Sequence, residues 1–145
     1  MNQPPDGICL LLRTTFLAMV DRVEHEFDDL GLALSQWLTL KLINIGTISC
    51  IGDINRELGL TTGASTRLVD QLENRNLIVR RRGGADRRVV EIMLTDEGQR
   101  VIVAIQPRLA DLWEEQLSDF EEDERDTLFA LLSRLRDGLR RRTDG

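Results

Sequence analysis

The side chains best placed to do chemistry in this 145-residue chain are arginines. Between residues 61 and 88 lie Arg67, Arg75, Arg80, Arg81, Arg82, Arg87 and Arg88, against Asp70, Glu73 and Asp86. That stretch therefore carries +4 in a chain whose net charge is -6, which leaves -10 on the rest. Lys41 is the only lysine. A guanidinium is a planar fork that matches phosphate oxygens and the edge of guanine. Short polar residues open the stretch, Thr61, Thr62, Gly63, Ser65 and Thr66, and Arg67 and Asp70 follow on the same predicted helix. Small side chains let a helix axis come close to base edges. Thr hydroxyls can serve phosphates or bases, and the Thr methyl can touch a thymine methyl. Free backbone N–H groups at the helix start suit a phosphate. The candidate nucleic-acid contacts are those seven residues together with Arg80, Arg82, Asp86, Arg87 and Arg88.

Other chemistries find little support. A single histidine, His25, cannot make a His-based metal cluster or a two-histidine catalytic site, and no metal or cofactor is expected. There is no nucleophile elbow, phosphate loop or metal-ligand spacing, so no enzyme is expected. The run from Glu121 to Glu124 reads as a helix start, where acids are stabilising. Two cysteines, Cys9 and Cys50, make no disulfide framework and suggest a reducing, cytoplasmic setting. No apolar run approaches the ~18 residues of a membrane span. The N-terminus lacks a basic region ahead of its apolar run, so no signal peptide is expected. With 41% apolar and 30% charged residues, the chain can build a core, and its length suits one domain spanning 1–145.

The elements that must position the arginines follow from periodicity. Ile8, Leu11, Leu12, Phe16, Met19, Val23, Phe27 and Leu30 recur in steps of three and four, predicting a helix over 8–30. Ser35 caps a predicted helix over 36–45, with Trp37, Leu38, Leu42, Ile43 and Ile45 apolar and Gly46 as its stop. Ser49 caps a third over 50–58, ended by Gly59. Thr61 caps a fourth over 62–75, with Ser65, Leu68, Val69 and Leu72 inward and Asn76 as a left-handed end. The period then drops to two: strands over 77–81 and 89–94 flank a turn at Gly83-Gly84-Ala85. Thr95 caps a helix over 96–117 that Pro107 should kink. A last helix over 122–141 bears Leu128, Leu131, Leu132, Leu135 and Leu139 on one stripe.

Helix, glycine turn, helix and arginine-tipped hairpin is the order of a winged helix-turn-helix. Residues 58–81 (LGLTTGASTRLVDQLENRNLIVRR) and 86–98 (DRRVVEIMLTDEG) resemble MarR-family transcriptional regulators, the second ending in the family's LTxxG. The resemblance extends over the whole chain. It implies a mainly α fold with a small β-hairpin wing, a DNA-binding lobe over about 35–95, and dimerisation helices over about 8–30 and 96–142. It further implies a homodimer on a pseudo-palindromic operator in double-stranded DNA, with recognition helices in major grooves and wings in minor grooves. In that picture Arg88 or Arg87 enters the minor groove and Asp86 orients it. Two residues depart from the pattern: Asn76 replaces a usual Gly, and Asn55 replaces a usual Ala, altering how helix three meets helix four. The stripes on the first and last helices exceed what one small domain covers, which independently favours a partner copy.

Sensing has two readings. The resemblance implies a repressor released by a small, commonly phenolic, effector, with Arg13, His25 and Trp37 as pocket candidates; otherwise Trp37 is core and His25 faces solvent. Cys9 sits where the peroxide-sensing branch of the family has its reactive thiol, but this chain has no tyrosine to orient it. A buried, inert thiol is therefore the default for Cys9, with a thiol-based peroxide-sensing regulator as the alternative, and Cys50 reads as packing. A winged-helix protein-interaction module without DNA affinity is the alternative of another class.

Overall fold

Helix α1 (Pro5–His25) opens a structure of six helices and one hairpin among the described residues, and a short 3-10 turn, Asp28–Leu30, follows it. This computed structural model describes residues 5–82 and 89–141. Next come α2 (Leu34–Asn44), α3 (Ile51–Leu58), α4 (Thr62–Asn74), β1 (Ile78–Arg82), β2 (Val90–Leu94), α5 (Asp96–Gln116) and α6 (Glu122–Arg140). Two compact units are present, Met1–Leu109 and Ala110–Gly145.

In the first unit the core gathers Val23, Phe27, Leu40, Ile48, Ile54, Leu72, Ile78, Ile92, Ile102 and Ile105, all nearly inaccessible. The long apolar stripe expected over 8–30 does two different jobs. Val23 and Phe27 are buried, whereas Ile8, Leu11, Leu12 and Phe16 are exposed. The helix also ends earlier than periodicity suggests. After His25 the N–H of Glu26 donates to Val23 O and that of Phe27 to Glu24 O. These tighter, three-residue bonds precede a left-handed Gly31 (φ 56°), which turns the chain toward α2.

Two helix starts differ from expectation for one reason: a side chain from inside or outside the helix reaches the free N–H groups before the expected cap does. Ser35 does not cap α2. Gln36 Oε1 accepts from Ala33 N at 3.1 Å and Glu24 Oε1 from Leu34 N at 2.8 Å. Ile45 is exposed beyond the helix end, and Leu34, Thr39 and Leu40 are the buried residues of α2. Ser49 does not cap α3 either; Cys50 holds the cap position, and Asp53 Oδ2 accepts from Ser49 N, Ser49 Oγ and Cys50 N at 2.8–3.1 Å. The fourth start is as expected: Thr61 Oγ1 accepts from Ala64 N. The inward face of α4 is also as expected, with Ser65, Leu68, Val69 and Leu72 buried.

Strands β1 and β2 are antiparallel, with Ile78 opposite Leu94 and Arg82 opposite Val90. Ile92 N also bonds Ser49 O at 2.8 Å, which tethers the hairpin to the start of α3. Helix α5 stays helical through Pro107. In the second unit, α6 has no buried residue, and Leu131, Leu132, Leu135 and Leu139 of its stripe are exposed.

Gly98 lies in the first turns of α5 against the backbone. A Cβ there would stand far inside contact distance of Leu77 O and 3.1 Å from Leu94 Cδ2. Ala in a helix interior normally stabilises relative to Gly by about 1 kcal/mol. Here the carbonyl cannot move without breaking its bond to Thr95 N. Gly98→Ala should therefore destabilise the protein by about 2 kcal/mol or more, read as a lowered midpoint in urea unfolding; an unchanged or raised midpoint would contradict the close approach.

A second consequence concerns pH. The backbone N–H of Ser49 above all, with Arg56 and the Ser49 hydroxyl, holds the Asp53 carboxyl far below the usual carboxylate range, against a desolvation penalty. A depressed folded value means this stabilisation is complete above pH about 4 and fades as pH falls further. Asp53→Ala should cost about 1–2 kcal/mol at pH 7 and distinctly less at pH 3. Unfolding curves at the two pH values decide it, since an equal loss at both would assign the effect to packing.

Candidate nucleic-acid interface

The interface is assembled from α3, α4 and the hairpin. Gly59 ends α3 in the left-handed region (φ 65°), and Thr61 starts α4 two residues later. So tight a turn sets α4 across α3 through its buried stripe and presents the opposite stripe outward. Thr61, Thr62, Gly63, Arg67 and Asp70 are exposed, and Thr66 is half-buried. Ser65 is a correction: it is fully buried, one residue out of phase with the outward stripe, and packs inside rather than reaching a base.

The three threonines are in different states. Thr61 Oγ1 is used in capping. Thr66 Oγ1 donates to Thr62 O at 2.8 Å, the usual four-residue back-bond of a helical threonine. Thr62 Oγ1 accepts from Asn55 Nδ2 at 3.0 Å. Periodicity alone did not single out Asn55; its departure from the small residue that the resemblance implied there was the available signal.

Among the arginines the structure separates tools from struts. Arg80 pairs with Asp70 through its guanidinium, its backbone N–H donates to Glu73 Oε1 at 3.3 Å, and its Nε lies 3.7 Å from Glu73 Oε2. Arg80 and Asp70 were expected as separate contacts; they are joined to each other and brace the hairpin against α4. Arg75 donates to Leu30 O and Gly31 O at 2.6 and 2.8 Å, clasping the turn before α2. Arg108 clasps the same turn from α5, with both Asp29 oxygens at 2.7 and 3.0 Å and Glu26 O at 3.1 Å. The guanidinium of Arg108 holds the Asp29 carboxyl below its ordinary range. Arg67 on α4 and Arg81 and Arg82 at the end of β1 are exposed. Asp86, Arg87 and Arg88 lie outside the described residues, as does the turn at Gly83-Gly84-Ala85.

The sensing candidates are not brought together. Arg13 is exposed on α1. His25 is exposed, with Nδ1 3.0 Å from Asp28 Oδ2, in a shallow depression lined also by Asp21, Arg22 and Glu24. That lining includes neither Arg13 nor Trp37. Trp37 is half-buried with its ring centroid 5.9 Å from that of Phe27, a core contact. Cys9 is exposed, correcting the expectation of a buried thiol, because its part of α1 is uncovered. Cys50 is half-buried. No group able to hold a metal ion occurs among the described residues, and no helix there is long and apolar enough to cross a membrane.

Residues 32–90 match the family model described as MarR family. An uncharacterized HTH-type transcriptional regulator of Bacillus subtilis, YdgJ, is 29% identical over 87 residues, 60% of this chain and 53% of that protein. The chain thus spans about half the length of this curated relative. In fold, it is similar to a mutant of Escherichia coli MarR complexed with operator DNA (TM-score 0.80, 22% identity, covering 89% of this chain and 93% of that one). It is likewise similar to Bordetella bronchiseptica BpsR, whose DNA binding is described as regulated by 6-hydroxynicotinic acid (TM-score 0.81, 19% identity, covering 94% and 98%).

Proposed function

We propose, from the match of residues 32–90 to the MarR family model, that the protein is a DNA-binding transcriptional regulator acting as a homodimer on a pseudo-palindromic operator. One observation carries the reading. A helix face of Thr62, Gly63 and Arg67 stands exposed beside a strand that ends in exposed Arg81 and Arg82, and the Arg80–Asp70 pair joins the two elements. A short-chained polar face can enter a major groove, and the flanking arginines can take phosphates. The remainder of the chain is acidic, so attraction to DNA is confined to this surface.

Dimerisation is supported by two uncovered apolar stripes, taken one unit at a time. Ile8, Leu11, Leu12 and Phe16 are exposed on α1, and Leu131, Leu132, Leu135 and Leu139 on α6. Leucine stripes of this extent are unusual on a monomer's surface. A second copy of the chain, which doubles the DNA contacts by symmetry, covers them. Release by a small aromatic effector is the regulation we propose, by likeness to the family and to BpsR; Arg13, His25 and Trp37 do not line one site that would support it.

Binding should be strongly salt-dependent: a dimer neutralising about 8 phosphates gives a log–log slope of about -7. A flat response would count heavily against DNA as the partner. Arg67→Ala should weaken binding to the preferred duplex by about 1–3 kcal/mol with a smaller loss on a scrambled one; equal losses would make Arg67 a phosphate contact. Leu135→Glu should give a monomer in sedimentation equilibrium, and a dimer that persists would place the subunit interface elsewhere.

A further inference from the structure

The start of α4 holds an arrangement that fold and family do not require. Thr62 is the first residue of the helix, so the residue four before it, Leu58, belongs to another helix and offers no carbonyl for the back-bond that Thr66 makes. Its hydroxyl is engaged from the other side, by Asn55 Nδ2 at 3.0 Å from α3. The amide orientation follows from what surrounds it. Asn55 Oδ1 is buried without a hydrogen-bond partner among the described residues. Reversing the amide would place two N–H donors where one oxygen now lacks a partner, and a buried carbonyl tolerates this better than a buried amino group. The amino group therefore faces Thr62, and the Thr62 oxygen accepts. A hydroxyl that accepts on one side has its proton left to give on the other.

We infer that Asn55 is a positioning residue for operator reading: it anchors the Thr62 hydroxyl and occupies one of its two lone pairs, leaving its proton to give, so that Thr62 favours an acceptor on a base edge, such as a purine N7, guanine O6 or thymine O4. Thr66 is the complement. Its proton is spent on the helix backbone, so it meets the groove with lone pairs and a methyl group, suited to an amino group or a thymine methyl. The two threonines, four residues apart on the exposed side of one helix, thus read opposite hydrogen-bonding senses. The unpartnered Oδ1 supports a functional role, because a buried polar atom without a partner lowers stability and a small apolar residue at position 55 would avoid it.

This inference rests on the DNA-binding reading above, and the test separates the two. A preferred duplex is recovered by in-vitro selection from a random 30-base-pair pool, and affinities for it and for a scrambled duplex are measured for wild type, Asn55→Ala, Thr62→Val and the double variant. Each single variant should lose about 3- to 10-fold on the selected duplex, the worth of one hydrogen bond, with the scrambled duplex bound as before. The double variant should lose no more than Thr62→Val alone. Asn55→Ala should melt at or above the wild-type temperature, so that the loss is not one of folding. Losses that multiply in the double variant, a silent Asn55→Ala, or equal losses on both duplexes would each overturn the role of Asn55. Failure of the wild type to select any duplex would instead overturn the DNA-binding reading, and this inference with it.

Discussion

The close approach of α5 to the backbone at Leu77 is the constraint on which the rest of the first unit depends. Four residues meet there. Asn76 takes the left-handed conformation (φ 57°) that ends α4, and its carbonyl accepts the Thr95 hydroxyl at 2.6 Å. Thr95 N donates to Leu77 O at 3.1 Å, and Thr95 Oγ1 accepts from Gly98 N at 3.0 Å. Gly98 has no Cβ to hold the two segments apart. One threonine thus closes the hairpin, caps α5 and fastens both to the end of α4. Where the wing lies relative to the recognition helix follows from this junction, because Ile78 and Leu94, the first rung of the ladder, are its immediate neighbours.

Away from that junction, the first unit is steadied by arginines engaged with other groups of the fold. Arg80 braces the hairpin on Asp70 and Glu73. Arg75 and Arg108 hold the turn between α1 and α2 from two sides, through backbone carbonyls and Asp29. An arginine suits this work because its several N–H donors can satisfy neighbouring carbonyls at once and its charge persists at any working pH. Among the described residues, the arginines of the positive stretch therefore fall into two populations. One supplies an outward field through Arg67, Arg81 and Arg82. The other, Arg75 and Arg80, is engaged with groups of the fold, and the charge of Arg80 is offset by Asp70 and Glu73.

The stripes on α1 and α6 show the same division between pattern and use. On α1 a single apolar periodicity serves a packed half around Val23 and Phe27 and an uncovered half around Leu11 and Phe16. A periodic stripe states only that a face avoids water. It does not state whether the cover comes from the same chain.

Much of the architecture was legible from local chemistry. The Thr61 cap, the inward set Ser65, Leu68, Val69 and Leu72, the left-handed ends at Gly59 and Asn76, and the alternation through Val90, Ile92 and Leu94 are all decided by neighbours a few residues apart. Sequence by itself therefore determined the element order and the outward face of α4. Only tertiary structure decided which groups satisfy one another across distance. Glu24 reached the start of α2, Arg80 was drawn to Asp70, and Asn55 met Thr62. Periodicity specifies a direction around a helix axis. A hydrogen bond needs donor and acceptor within about 3 Å, and chain segments far apart in sequence acquire such distances only once the core has packed.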